Sequence, residues 1–281
     1  RKHSKYKITN WCEYNNYLRK RSRVDFMIAS NLAEGWYDDN KSRKRGRPKR
    51  YSDHAMLQCL KIRCLFGLKL RQTQGFINWL FEMADIPLKC PDYTTLCKRM
   101  KLLDLSSLDP KHNEEFECIA MDSTGIQTYT GNEWLENKHS LTEHTVDDRS
   151  QLETLLSGIK SREFLGDSGY DGEDIYQSLK KKGMKPIIRP PDIRSEPSLE
   201  PKSDRDAAVL YRKKKGYHAW RVKNNYGRRE RVENTFFRFK NSFGCKFLSR
   251  DNDNMKNETS IKCHLLNKML EIGKPISITA C

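Results

Sequence analysis

The chain has 281 residues, which is enough for one large domain or two ordinary ones. Its 53 Lys and Arg residues outnumber 37 Asp and Glu residues, and the net charge of +16 favours a polyanionic partner such as nucleic acid. No run of about 18 apolar residues exists, so we expect a soluble protein, and nine cysteines without a Cys-x-x-Cys pair argue against a zinc module or a disulfide framework and indicate a reducing cytoplasm.

The start of the chain carries no export signal. Arg1 and Lys2 are not followed by the apolar segment of a secretory signal peptide, so we do not expect export. The missing initiator Met indicates a trimmed or partial start. We therefore predict a cytoplasmic protein.

Residues 1–50 are predicted to form a basic arm. The last ten of them, KSRKRGRPKR, combine positive charge with one Gly and one Pro, which is typical of a linker. The Arg-Gly-Arg segment can lie extended in an A·T-rich minor groove, and an equal alternative is a solvated tether that touches phosphates indiscriminately. The DNA-binding residues predicted in this arm are Arg45, Arg47, Lys49 and Arg50.

Residues 51–112 are predicted to form a mostly helical DNA-binding domain. Ser52 or Asp53 is expected to cap a first helix, and Thr73 a second. Apolar residues recur at helical spacing in both, at Met56, Leu57, Leu60 and Cys64 and then at Ile77, Leu80 and Phe81.

A short basic helix is predicted from Asp92 to Lys101. In a three-helix cluster, this helix could enter a major groove and contact DNA through Lys98 and Arg99. A plain helical bundle without that role is an equal alternative, because a helix-turn-helix gives only a weak signal in sequence.

Residues 113–281 are predicted to form an α/β domain. Three short apolar runs are typical of strands, and helical patterns alternate with them. Two of the runs end in a carboxylate, at Asp122 and at Asp167. The predicted strands are Phe116–Asp122, Glu163–Asp167 and Lys185–Arg189.

A later helix, YGRRERVENTFFRFK at residues 226–240, carries charged and aromatic residues on one face. Tyr226, Arg229, Glu233 and Lys240 fall within an arc of roughly 60° at about 100° per residue. A surface helix with ion pairs four residues apart is the simpler interpretation. The alternative is that this face contributes side chains to a functional site, while the adjoining apolar face packs against a core.

Three carboxylates can converge if Asp122 and Asp167 end neighbouring strands and Glu233 lies on a helix beside them. Such a set suits two hard divalent cations, which bind oxygen ligands and act on phosphodiesters. Arg229 and Lys240 could hold the phosphates of the strand that is cut. The predicted chemistry therefore needs no protein nucleophile.

The segments MDSTG at 121–125, GDSGYDG at 166–172 and YGRRERVENTFFRFK at 226–240 resemble the DDE transposases of bacterial insertion sequences, in particular the insertion-sequence-five group. That group surrounds its catalytic Glu with a Tyr, two residues, an Arg, three residues, the Glu, six residues and a Lys, and this chain fits the spacing without a gap. The upstream segments KRGRPKRYSD, LRQTQGFI and PDYTTLCKR also resemble that group's N-terminal region. The resemblance covers most of the chain.

The resemblance implies a ribonuclease-H-like catalytic core that cuts and joins DNA at terminal inverted repeats. It implies Mg²⁺, or Mn²⁺ as a substitute, with Asp122, Asp167 and Glu233 as metal ligands. Tyr226, Arg229 and Lys240 would contact DNA around the site. Pairing two element ends implies at least a homodimer when active, in the cytoplasm of a bacterium and associated with its nucleoid.

One part of the family pattern is absent. Only 45 residues separate Asp122 from Asp167, and they are poor in strand signal. A stretch of a few dozen residues is missing at about His139, which predicts a core without one or two of its strands. The missing strands would leave one edge of the sheet exposed.

Several alternatives stay open. Trp220 is interpreted as packing in an aromatic core, with stacking on a displaced base as the alternative. The function is predicted to be that of an active transposase, with a catalytically inactive DNA-binding remnant that inhibits transposition as the alternative. A host nuclease with the same core fits less well, because the whole Tyr-Arg-Glu-Lys spacing is present.

Overall fold

The computed structural model describes residues 6–21, 23, 32–38, 48–108, 115–122, 125–127, 134–136, 148–192 and 202–279. The chain divides into two compact units, the first built from residues 1–109 and 239–281 and the second from residues 110–238. None of the helices in these described ranges combines the length and the apolar character needed to cross a bilayer.

The first unit is mainly helical. Its two short strands, β1 and β7, pair antiparallel and so join the two ends of the chain. Its elements are β1 (Tyr6–Ile8), α1 (Trp11–Lys20), α2 (Asp53–Phe66), α3 (Leu70–Met83), α4 (Tyr93–Met100), a 3₁₀ turn (Ser106–Leu108), α9 (Asn252–Ile272) and β7 (Ser277–Thr279), together with the end of α8, a helix that begins in the second unit.

Helix α2 lies at the centre of this unit. Ser52 caps it by accepting a hydrogen bond from the N–H of Ala55, as expected. Helix α3 begins differently from the prediction, because Lys69 is its N-cap and Thr73 lies buried one turn inside, where its hydroxyl donates to the carbonyl of Lys69. The core side chains come mainly from α2, α3, α4 and α9, and include Met56, Leu60, Ile77, Phe81, Leu96, Met100, Ile261 and Leu265.

A buried ionic cluster crosses from α2 to α9. Glu258 accepts hydrogen bonds from the main-chain N–H groups of Leu248 and Ser249, both at 2.9 Å, and pairs with Lys262 at 2.7 Å. Arg63 lies 3.6 Å from the same carboxylate. All three charged side chains are almost fully buried, so each depends on the others for charge compensation.

The second unit contains a small parallel sheet in the order β2-β5-β6. Two further strands, β3 and β4, form a separate antiparallel pair. The elements are β2 (Phe116–Ala120), β3 (Gly125–Gln127), β4 (Trp134–Glu136), α5 (Leu152–Leu155), β5 (Ser161–Gly166), α6 (Glu173–Lys181), β6 (Lys185–Ile188), α7 (Asp204–Lys223) and α8 (Glu230–Phe243), with 3₁₀ turns at Asp148–Gln151, Ser168–Tyr170 and Tyr226–Arg229.

Both faces of the parallel sheet are covered. On one face, Phe164 and Ile188 pack with Leu152 and with Leu179 of α6. On the other face, Leu165 and Ile187 pack with Trp220 and Tyr226. The last residues of both strands, Phe164–Gly166 and Ile187–Ile188, are consecutively buried and lack polar side chains, as in parallel strands that are covered on both faces.

The predicted α/β structure is present in the second unit, and the three strands of its parallel sheet lie where strands were predicted. The division of the chain differs from the predicted boundaries, because residues 239–281 group with the N-terminal helices. Helix α7 was not predicted. Gly216, a residue type that weakens a helical pattern, interrupts the helix with a φ of 83°.

Candidate active site

The strand register brings Asp122 and Asp167 to the same edge of the parallel sheet. Ala120 of β2 pairs with Leu165 of β5, and each aspartate follows its strand two residues beyond that pair. The pairing continues past β2, since the N–H of Met121 donates to the carbonyl of Leu165 at 3.0 Å. Equal offsets on parallel strands place the two residues side by side with their side chains toward the same face.

The loop after Asp167 is held by two arginines. Arg149 donates to the carbonyl of Gly169 at 2.7 Å and to that of Asp171 at 3.2 Å. Arg205 forms a two-pronged pair with the buried carboxylate of Asp171, with a shortest distance of 2.6 Å. Neither arginine was predicted from the sequence; a carboxylate at Asp171 is a signal for a cationic partner such as Arg205, whereas the main-chain contacts of Arg149 leave no sequence signal.

Tyr226 connects the segment that contains Glu233 with the end of β5. Its ring is buried against Trp220, with 5.0 Å between ring centroids, and its hydroxyl donates to the carbonyl of Gly166 at 2.9 Å. Residues Tyr226–Arg229 form a 3₁₀ turn, and the α-helix begins at Glu230, so the motif is not one continuous helical face as predicted. The contacts of Tyr226 explain its place in the motif without DNA, and a DNA contact stays a prediction.

Arg229 lies between two of the three predicted carboxylates. Its Nη2 is 2.7 Å from Oδ2 of Asp122, and its Nη1 is 2.8 Å from Oε1 of Glu233. Arg229 and Asp122 are mostly buried, whereas 56% of the Glu233 side chain is exposed. The guanidinium of Arg229 therefore joins the carboxylate that follows β2 to the carboxylate on α8. The Glu233 side of this arrangement is exposed to solvent.

The surroundings of Arg229 favour a cation. Burial alone would lower the pKa of Arg229, but Asp122, Tyr226, Asp167 and Glu233 outweigh it and raise that pKa. Its Nε is buried and has no hydrogen-bond partner among the described residues. The guanidinium is thus held by charge at its two terminal nitrogens and not by a complete set of hydrogen bonds.

In the described part of the chain, no three His, Cys, Asp or Glu side chains are grouped closely enough to hold a metal ion. Asp122 and Glu233 each bind a different nitrogen of the Arg229 guanidinium. One carboxylate oxygen of Asp167 accepts a hydrogen bond from the N–H of Gly169 at 2.9 Å. The carboxylate oxygens of these residues suit a hard divalent cation. The guanidinium of Arg229 already lies between the carboxylates of Asp122 and Glu233.

Arg228, Lys240 and Trp220 have separate surroundings. Arg228 pairs with Glu163 of β5, so the turn before α8 is fixed to the sheet by its other arginine. Lys240 is half-buried and lies on the last part of α8, which belongs to the first unit. Trp220 is only 2% exposed and packs with Leu165, which is the core role that the sequence favoured.

The predicted DNA-binding residues of the first unit are charged and mostly exposed. Lys49, Arg50 and Lys98 are exposed, whereas Arg99 is half-buried and pairs with Asp53. Arg45 and Arg47 lie outside the described residues, as does His139 with the predicted deletion.

Two stretches of the chain, residues 19–131 and residues 138–268, match the family description "Transposase DDE domain". Together they leave out only the two ends of the chain and residues 132–137. The chain belongs to the DDE transposase family.

The chain is also similar to an uncharacterized protein of Aquifex aeolicus (strain VF5). The two are 28% identical over 188 residues, which cover 52% of this chain and 57% of that protein. The match therefore spans little more than half of the relative's length. No solved structure matches the chain significantly.

Proposed function

We propose that the protein is a transposase that cuts DNA at the terminal inverted repeats of an insertion sequence and joins the resulting ends to a target. The observation that carries the proposal is the meeting of Asp122 and Glu233 on one guanidinium, beside Asp167 at the edge of the parallel sheet. Three carboxylates from two strand ends and one helix match the chemistry of metal-assisted phosphodiester cleavage.

Asp122, Asp167 and Glu233 are the residues that would hold Mg²⁺ or Mn²⁺, with two ions as the expected number. A bound divalent ion activates the attacking oxygen and stabilises the leaving oxygen. Arg229 must release Asp122 and Glu233 before those oxygens can serve as ligands. Once released, its guanidinium can bind a DNA phosphate, for which its planar donors are well suited.

The catalytic core is proposed to be ribonuclease-H-like and of the insertion-sequence-five group. In support, β2 carries the first Asp, pairs parallel with β5 and, among the described strands, has no neighbour on its other side. The predicted loss of residues near His139 would remove the strands expected there. The break between the two family matches, at residues 132–137, lies beside that position.

Double-stranded DNA is the proposed partner, as inverted repeats and as target. The net charge of +16 supports a polyanionic partner, and residues 41–101 are the proposed DNA-reading region. Pairing of two DNA ends would need a homodimer or a larger assembly. We propose that the protein acts in the bacterial cytoplasm, in association with the nucleoid.

The second candidate is a DNA-binding remnant without catalytic activity, which would bind the repeats and inhibit transposition. The short link from Asp122 to Asp167 favours it, because a core without part of its sheet has lost support for the strand that carries Asp122. The complete carboxylate set favours the active enzyme.

Duplex oligonucleotides with the gene's own flanking repeats separate the two candidates. We expect the protein to bind them and, in Mg²⁺ or Mn²⁺, to cut and join them, whereas Asp122→Asn binds but does not cut. Binding without cutting by both proteins would support the inactive remnant. Absence of specific binding and of cutting would reject both functions.

A further inference from the structure

The first unit contains a cavity of about 470 Å³ that has no part in the carboxylate site. It lies between the segment before α2, helix α3 and the beginning of α4. Its side chains are mostly polar, and the residues that line it include Lys49, Arg50, Gln74, Asn78, Lys89 and Arg99.

The floor of the cavity is fixed by hydrogen bonds to the segment Lys89–Cys90. The indole of Trp36 donates to the carbonyl of Lys89 at 2.9 Å, and the amide oxygen of Asn78 accepts the N–H of Cys90 at 2.8 Å. Gln74 accepts the N–H of Tyr93 at 2.9 Å and so fixes the beginning of α4 in the same way. The cavity is therefore built from ordered main chain, and its shape does not depend on an unsupported loop.

The lining is rich in hydrogen-bond donors. Because the oxygens of Gln74 and Asn78 already accept main-chain N–H groups, each amide retains its NH₂ group as a donor. Among the described residues that line the cavity, there are four cations and one carboxylate, Asp92. That carboxylate already accepts from the N–H of Thr94 at 2.9 Å, which caps α4.

Two of the cations are available to a ligand. The guanidinium of Arg50 lies over the rings of Tyr37 and Tyr51, at 5.7 and 5.5 Å from their centroids, so the two rings help to position it. Lys89 is exposed and has no ion pair within the described part of the chain. Arg99, by contrast, is partly neutralised by Asp53.

We infer that this cavity binds a phosphodiester group of the DNA backbone. A rigid, cationic, donor-rich cavity suits an anion with several acceptor oxygens, and a backbone phosphate has them. Lys49 and Arg50 also end the basic run KSRKRGRPKR, so the cavity would hold the phosphate next to the place where that run meets DNA. The inference rests on the proposed function only in taking DNA as the partner.

Lysine acetylation of the full chain, followed by mass spectrometry, tests the site directly. The probe is the duplex with flanking repeats, with EDTA present so that no cutting occurs. We expect the duplex to protect Lys49 and Lys89 from acetylation and to leave Lys274 unprotected, since it is an exposed lysine of the same unit that lies outside both the cavity and residues 41–101. Equal labelling of Lys89 with and without saturating duplex overturns the inference.

Inorganic phosphate distinguishes the source of the anion. If inorganic phosphate protects Lys89 as well as duplex does at the same phosphate concentration, the cavity binds free phosphate and its assignment to the DNA backbone is wrong. If only the duplex protects, the backbone assignment stands.

The salt dependence of DNA affinity, measured for variants of the cavity and for a control, gives an independent readout. Lys89→Gln should reduce the slope of log affinity on log salt by about one, as the loss of one phosphate contact does, while Lys274→Gln should leave the slope unchanged. Asp92→Asn, which keeps a capping side chain, should tighten binding. An equal effect of the two lysine variants would overturn the inference, and failure of the unmodified protein to cut DNA in Mg²⁺ would instead count against the proposed function.

Discussion

At the scale of single residues, Arg229 determines the present arrangement of the site. Its guanidinium binds Asp122 at 2.7 Å and Glu233 at 2.8 Å, and the surrounding carboxylates raise its pKa against the effect of burial. A positive side chain in this position binds both carboxylates at once and holds them near one another. It also competes for the same oxygens with any metal ion that they bind.

Replacement of Arg229 should therefore tighten metal binding. We expect Arg229→Ala to bind Mn²⁺ more tightly by on the order of tenfold, which corresponds to about 1.4 kcal/mol, because the carboxylates lose their internal cation. Electron paramagnetic resonance of free Mn²⁺ measures this without DNA. The matched control is Arg228→Ala, whose side chain pairs with Glu163 and not with the site.

The opposite result would show a different role for Arg229. If Arg229→Ala lost Mn²⁺ affinity as Asp122→Asn is expected to do, the guanidinium would be needed to assemble the carboxylates and would not compete with the metal ion. The Arg228→Ala variant reports any general loss of structure in the same turn.

Tyr226 allows a second prediction at this scale. Tyr226→Phe removes the hydroxyl that donates to Gly166 and leaves a buried carbonyl with one donor fewer, so the free energy of unfolding should fall by about 1 kcal/mol. Urea unfolding measures the change. Tyr211→Phe, a change in the same unit at a ring contacted by Lys223, is the control and should alter stability less. DNA affinity should be unchanged by Tyr226→Phe, and a large loss of affinity would support the DNA contact instead.

At the scale of elements, the sequence predicted the parts of the site that depend on local pattern. Short apolar runs before Asp122 and Asp167 indicated strands, and the register Ala120–Leu165 brings the two residues together. The four-residue spacing indicated the ion pair between Arg229, in the turn before α8, and Glu233 on α8. These features depend on periods of two and 3.6 residues, which sequence shows directly.

Other parts of the site could not be predicted, because they depend on tertiary contacts. The 3₁₀ turn at Tyr226–Arg229 follows from the burial of the Tyr226 ring and its bond to Gly166, 60 residues away. The pair of Arg229 with Asp122 spans 107 residues. Periodicity within one segment carries no information about such partners.

The buried cluster between α2 and α9 gives a prediction about pH. Burial alone would raise the pKa of Glu258, but Lys262 and Arg63 outweigh it, so the pKa lies below its usual 4.5. A carboxyl group with a lowered folded-state pKa stabilises the fold above the unfolded pKa, and this contribution is lost as the pH falls through the folded value. Stability of the unmodified protein should therefore decrease below about pH 4.5.

Glu258→Gln tests that cluster. We expect the free energy of unfolding at neutral pH to fall by about 3–5 kcal/mol, since Arg63 and Lys262 stay buried without their carboxylate. The loss of stability in acid should also become smaller. Urea unfolding at neutral and acidic pH measures both effects, with Glu271→Gln on the exposed side of the same helix as control. An unchanged acid dependence in Glu258→Gln would contradict the assignment.

At the scale of the whole molecule, the residues with proposed catalytic roles belong to one continuous segment. Asp122, Asp167, Arg229 and Glu233 all lie within residues 110–238, whereas the proposed phosphate cavity lies in the other unit. Cutting and binding should therefore be separable by mutation. Variants of the carboxylates should bind the repeats normally, and Lys89→Gln should cut at saturating DNA.

The measurement that tests the central claim most directly is strand cleavage of a labelled duplex, with its flanking repeat, in Mg²⁺ by two variants of α8. Glu233→Gln removes the carboxylate bound by Arg229, and Glu230→Gln removes a carboxylate one turn earlier that pairs with Arg221. We predict that Glu233→Gln loses all detectable cleavage while the unmodified protein and Glu230→Gln cut alike. Cleavage by Glu233→Gln at the unmodified rate would contradict the assignment of this site.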